Sequence, residues 1–172
     1  HLDMAVYDKT SGQLVAHTHQ VPEDEDYGTF SATLPYGDYN VVFLGYQGSR
    51  PANMETATSI SFADNYVPNI FHKCLSLSID KASQSAQDVS LNRRVAAFAL
   101  NIEDTAPTNL TSLAFACQGG GHRLNGLTGY ADQAEERTYA FNLSTYAGQS
   151  NFTVTIFSFL TSDEATMDFD VT

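Results

Sequence analysis

His17 and His19 stand two residues apart in the run LVAHTHQ. In an extended strand that spacing puts both imidazoles on one face, an arrangement that metal sites use. The acidic stretch Glu23 to Asp26 follows closely and could supply oxygens, but no third histidine stands at metal spacing, so the pair is read as surface histidines without a metal. His72 and His122 have no carboxylate or cysteine at a recognisable spacing, and His122 is expected in a mobile turn after Gly119-Gly120-Gly121. That glycine run is no phosphate cradle, because neither a GxxxxGK[ST] arrangement nor an ensuing helix accompanies it. A GxSxG elbow and an HExxH motif are both absent. The carboxylate pairs Asp163/Glu164 and Asp168/Asp170 fit no calcium-loop pattern. Asp168 and Asp170 are expected to face solvent, since they alternate with Met167, Phe169 and Val171. The chain is therefore read as a non-enzyme with no cofactor.

Arg93 is the charged residue whose placement asks for an account. It shares strand phase with Val89, Leu91 and Val95, so it is expected to point toward apolar company and to serve as a structural anchor. Tyr36, Tyr39 and Tyr46 border turns and form a possible binding surface for a glycan or a protein, with core capping as the plainer alternative. Asn109, Asn142 and Asn151 each open an N-x-[ST] tripeptide, which is compatible with surface loops. Cys74 and Cys117 form no CxxC pair; two buried thiols are favoured over one disulfide.

The elements that position these residues are strands. Leu2, Met4 and Val6 alternate with Asp3 and Ala5, and Ser11-Gly12 turns the chain into Leu14 to Thr18. Phe30, Ala32 and Leu34 alternate with Thr29, Ser31 and Thr33. Asn40 to Tyr46 is apolar on both faces, as in a central covered strand. Residues 47–70 read as a long irregular excursion, with a short edge strand or a helical turn near Phe62 to Val67. Further strands are predicted at Leu75 to Ile79, across the long run Asp88 to Ile102, at Leu113 to Cys117, weakly at His122 to Leu127, at Tyr139 to Leu143, at Phe152 to Phe159 and at Met167 to Val171. A polar turn is predicted from Lys81 to Gln87. No long amphipathic helix and no repeat appears. The expected fold is an all-β sandwich with Greek-key connections, as one domain over residues 1–172.

Composition agrees. Twenty Asp+Glu against eight Lys+Arg give a net charge of −12, while hydrophobic residues make up 42% of the 172. That core is too rich for a disordered acidic tail. The shortage of bases argues against nucleic acid and against an anionic bilayer as partner. No run is long enough to cross a membrane as a helix, and no signal peptide is visible from His1 onward.

The segments LPYGDYNVVFLG (Leu34 to Gly45) and VSLNRRVAAFAL (Val89 to Leu100), following the opening strand LDMAVYDKTSGQLV, resemble the fimbrillins and fimbrial anchor proteins of Bacteroides and Porphyromonas. The later strand matches that family at Leu91, Arg93, Val95 and Ala96. The resemblance covers most of residues 1–102. It implies a transthyretin-like β-sandwich, exported through the periplasm to the outer-membrane surface, often lipid-anchored through an upstream segment. It implies a role in stalk, anchor or tip of a surface fimbria, with subunits joined by strand addition. Other fimbrial subunits, or a host protein or glycan, are the implied partners. Relatives usually carry a second sandwich, so the chain is expected to be a short member, an accessory protein or the N-terminal part of a longer one. Asp104-Thr105-Ala106 looks like the O-glycosylation pattern of exported proteins of that phylum.

Overall fold

A computed structural model describes residues 1–48, 50–63, 66–81 and 86–172. The chain is all-β and its sheets are antiparallel, as the alternation predicts. The first sheet runs β2-β1-β3-β4-β5, built from β1 (Leu2–Asp8), β2 (Leu14–Gln20), β3 (Gly37–Tyr46), β4 (Ile70–Ile79) and the short β5 (Asn92–Arg93). β3 is central, pairing with β4 along its whole length on one side and with β1 from Tyr39 to Gly45 on the other. Its two apolar faces are thereby explained. Val42, Leu44 and Tyr46 enter one core with Ala5, Tyr7 and Ile70. Val41 enters another, on the opposite face, with Met4, Val6 and Tyr39.

Described residues between β3 and β4 cover the first of those cores. Ala52, Met54, Ala57, Ile60, Phe62 and Val67 are buried against it. A bridge from Ile60 to Leu124 ties them to the small hairpin of β8 (Leu124–Asn125) and β9 (Tyr130–Ala131). The helical turn or edge strand expected near Phe62 to Val67 includes residues 64 and 65, and the turn from Lys81 to Gln87 includes 82–85; these lie outside the described residues.

The second half forms a further layered unit. β6 (Ala96–Ile102) pairs with β11 (Phe152–Leu160), while β7 (Ser112–Gly121) pairs with β10 (Glu135–Asn142) and with β12 (Asp168–Val171). Between them lie Phe115, Phe152, Val154 and Ile156, with Phe98, Phe141 and Phe169 packed alongside. β11 touches both halves, because its end pairs with Gly120 and Gly121 of β7 and buries Phe159 in the first core. A 3-10 turn over Ser144–Tyr146 joins β10 to β11.

Three local expectations are corrected. Phe30 to Leu34 has strand alternation but joins no ladder. The predicted long strand from Asp88 to Ile102 breaks at Arg94 and Val95. There the Arg94 N–H donates to the Ile70 carbonyl at 3.1 Å and Val95 packs on the first core, so the chain leaves one sheet for the other. The triple glycine is no turn: it ends β7 where β11, β12 and residue 133 converge. A Cβ on Gly121 would lie 2.5 Å from the Gln133 carbonyl oxygen, and one on Gly120 would lie 2.1 Å from Ser158 Oγ. At Gly121 only glycine lets the two backbones approach, and at Gly120 a side chain would displace Ser158.

Candidate functional site

The two histidines do converge with a carboxylate, supplied by a neighbouring strand. β1 and β2 pair Asp3 with His19 and Ala5 with His17, which brings Asp3 and both imidazoles together on one face of the sheet. His17 Nε2 lies 2.6 Å from Asp3 Oδ1, and His19 Nδ1 lies 3.1 Å from both carboxylate oxygens. The Tyr46 hydroxyl, from β3, donates to Asp3 Oδ2 at 2.7 Å and accepts the Ala52 N–H at 2.7 Å. Asp3 is fully buried. Burial pushes its carboxyl up, but hydrogen bonds from His17, Tyr46 and His19, with the charge of His19, hold it below the usual carboxylate value. Burial and the Asp3 hydrogen bond push the Tyr46 phenol up, so it stays a donor. Glu23 to Asp26, expected to be available oxygens, stand in an exposed turn where Asp24 accepts the Val21 N–H. The sequence pattern found the histidines and missed their partner, because Asp3 looks like any outward residue of an alternating strand.

The other histidines also find partners that lie far off in sequence. His72 is buried and bonds the Gly126 carbonyl at 2.6 Å; burial pushes its imidazole down. His122, expected in a mobile turn, bonds Glu135 across the β7–β10 region. Cys74 and Cys117 are free thiols on different sheets, both pushed up by burial.

Arg93 does not take the inward phase. It is exposed, pairs through its backbone with Phe71, and holds its guanidinium 5.7 Å from the Phe157 ring centre. The half-buried position goes to Arg94, 5.7 Å from the Tyr130 ring and 4.0 Å from Asp163. The three candidate tyrosines do not form a surface. Tyr36 is 73% exposed, whereas Tyr39 and Tyr46 are only 4% and 7% exposed. Tyr39 bonds the Pro35 carbonyl, and Tyr46 belongs to the Asp3 cluster. Asn109, Asn142, Asn151, Asp104 and Thr105 are exposed.

A long concavity lies on the opposite face of the first sheet. It is a groove of about 700 Å³ floored by Met4, Val6, Val41, Phe43, Leu75 and Leu77. One wall is the segment Phe30 to Leu34 and the other is formed by Ala86, Gln87 and Val89. Phe30 meets Phe43 edge-on at 6.0 Å. The Phe30 to Leu34 wall has strand-like alternation, and neither wall joins a ladder among the described residues. On the adjoining edge, β5 covers only Phe71 and His72 of β4. Cys74 to Leu77 therefore have no ladder partner on that side among the described residues. The floor is apolar, and among the described residues the rim backbone joins no ladder, which is what an added strand needs.

No family profile and no curated protein matches the chain. Solved structures do. A protein of Bacteroides ovatus ATCC 8483 described as a candidate adhesin matches with a TM-score of 0.58 and 14% identity, over 96% of this chain and 62% of that one. A second candidate adhesin from Bacteroides ovatus gives 0.56 and 12%, over 99% and 63%. A Bacteroides thetaiotaomicron VPI-5482 protein described as a candidate polysaccharide-binding protein gives 0.57 and 11%, over 98% and 66%. The likeness is one of fold. The chain spans less than two thirds of the length of each of these proteins. Among the described residues no helix is long and apolar enough to cross a membrane.

Proposed function

We propose that the chain is part of a non-catalytic, exported cell-surface subunit of the fimbrillin and fimbrial-anchor kind, and that it joins a partner subunit by accepting an extended strand. The observation that carries this reading is the groove over Met4, Val6, Val41 and Leu77, walled by Phe30–Leu34 and residues 86–89. A strand entering it would place alternate apolar side chains on the floor and offer its N–H and C=O groups to the walls. The fold shared with Bacteroides proteins described as candidate adhesins supports the surface role. Attachment through a lipidated upstream segment belongs to the same reading.

The test uses a fluorescent strand peptide of alternating valine and threonine, titrated against the chain at moderate salt. Saturable binding that is lost in Leu77→Arg, with the circular dichroism of the chain unchanged, is the expected result. Equal binding to the Leu77→Arg variant, or none to either, would overturn the proposal.

A further inference from the structure

Two of the chain's five arginines, Arg137 and Arg50, each line one of two cavities that share Tyr66, and a third, Arg93, lies against the Phe157 ring of the first. Two cavities, of about 220 and 140 Å³, are lined in common by Tyr66, which is 50% exposed. Arg137 lines the first and lies 5.0 Å from the ring centre of Tyr139; Phe157, in the same cavity, carries the Arg93 guanidinium at 5.7 Å. Arg50 lines the second, beside Gln47 and Phe62. None of these three arginines makes an ion pair among the described residues. No described Asp or Glu lines either cavity, in a chain whose net charge is −12. Glu135, which feels the Arg137 charge, is already engaged by His122 and Gln133.

Among the described residues the lining is donor-rich and acceptor-poor. A guanidinium offers five N–H donors and no acceptor, and its fork fits a carboxylate or sulfate. Neutral sugar hydroxyls would call for carboxylate or amide acceptors, of which only the Gln47 amide is present among the described side chains. The aromatic faces of Tyr66 and Phe157 give a flat apolar floor suited to the C–H face of a pyranose ring. We infer that the cavities on either side of Tyr66 form a binding site for acidic saccharides, sugars carrying carboxylate or sulfate groups, held by Arg137 and Arg50. The site is separate from the strand-accepting groove, and either assignment can fail without the other.

Calorimetric titration of the whole chain with trigalacturonic acid, sialyllactose and a heparin disaccharide, against cellotriose and lactose as neutral controls, tests it. At least one acidic saccharide should bind while the neutral ones do not. Arg137→Ala and Arg50→Ala should each weaken that binding about tenfold or more, the usual worth of a charge-assisted contact. Arg123→Ala, at an exposed residue that lines neither cavity, should leave it unchanged, and strand-peptide binding should be unaffected in all three variants. Absence of binding by every acidic saccharide, equal binding of the neutral ones, indifference to Arg50 and Arg137, or tighter binding of a polyglutamate peptide would each overturn the assignment.

Discussion

Replacing Asp3 by Ala removes a fully buried carboxylate that accepts from His17, His19 and Tyr46. A hydrogen bond to a charged group contributes about 1.5–3 kcal/mol. The three do not add in full. Tyr46 can turn to the Arg50 carbonyl at 3.2 Å, and the His17 and His19 side chains, 27% and 21% exposed, can reach water. A loss of about 3–4 kcal/mol results, in keeping with the cost of removing one partner from a buried pair. For a domain of this size that lowers Tm by roughly 6–16 °C. The pH dependence has a definite sign. The folded Asp3 carboxyl titrates below its unfolded value, so its contribution is present above about pH 4 and fades as pH falls through the folded value. Urea unfolding followed by circular dichroism at pH 7 and pH 3 reads both effects. Asp3→Ala should be far less stable at pH 7, with the gap to wild type narrowing at pH 3. A variant within about 0.5 kcal/mol of wild type at pH 7, outside the range expected for a buried network, would refute the reasoning, as would a gap of constant size.

Tyr46→Phe deletes the donor to Asp3 and strands the buried Ala52 N–H, so it should cost about 1–3 kcal/mol in urea unfolding, whereas Tyr36→Phe, at a 73% exposed position, should cost almost nothing. Gly121→Ala drives a Cβ to 2.5 Å from a backbone carbonyl and should destabilise by about 1–3 kcal/mol or more, read as a lower midpoint with an unchanged urea slope. Cys74 and Cys117, both raised by burial, should alkylate slowly in the native chain and rapidly in urea, with two labels taken up by mass spectrometry and no prior reduction required.

The strands were legible wherever alternation and pairing coincide. Leu2 to Val6, Asn40 to Tyr46 and Phe152 to Phe159 all carry an apolar phase that a neighbour covers, so local pattern and tertiary environment agree. Phe30, Ala32 and Leu34 carry the same phase without a ladder partner, and alternation alone reports a covered face, not a backbone bond. Arg93 was placed inward by extending one strand through residues where the chain changes sheets; the break at Arg94 and Val95 resets the phase, and only the Ile70 carbonyl bond shows it. The glycine run looked like a turn because its cause is crowding by Ser158, Gln133 and Thr166, all distant in sequence. The candidate sites were the least legible. Asp3 meets its histidines through cross-strand register, and Tyr66 meets Arg137 through the folding of the excursion over the sheet, relations that spacing along the chain does not encode.

The most direct test of strand acceptance is amide hydrogen exchange of the chain with and without the valine–threonine peptide. The backbone of residues 30–34 and 86–91 joins no ladder among the described residues, so these amides should exchange freely in the chain alone. Protection should appear on peptide binding along Phe30–Leu34, Gln87–Val89 or the Cys74–Leu77 edge, and should vanish in Leu77→Arg. Protection confined to β2, β6 or β10, or no change at all at the groove walls while the peptide is bound, would contradict the account.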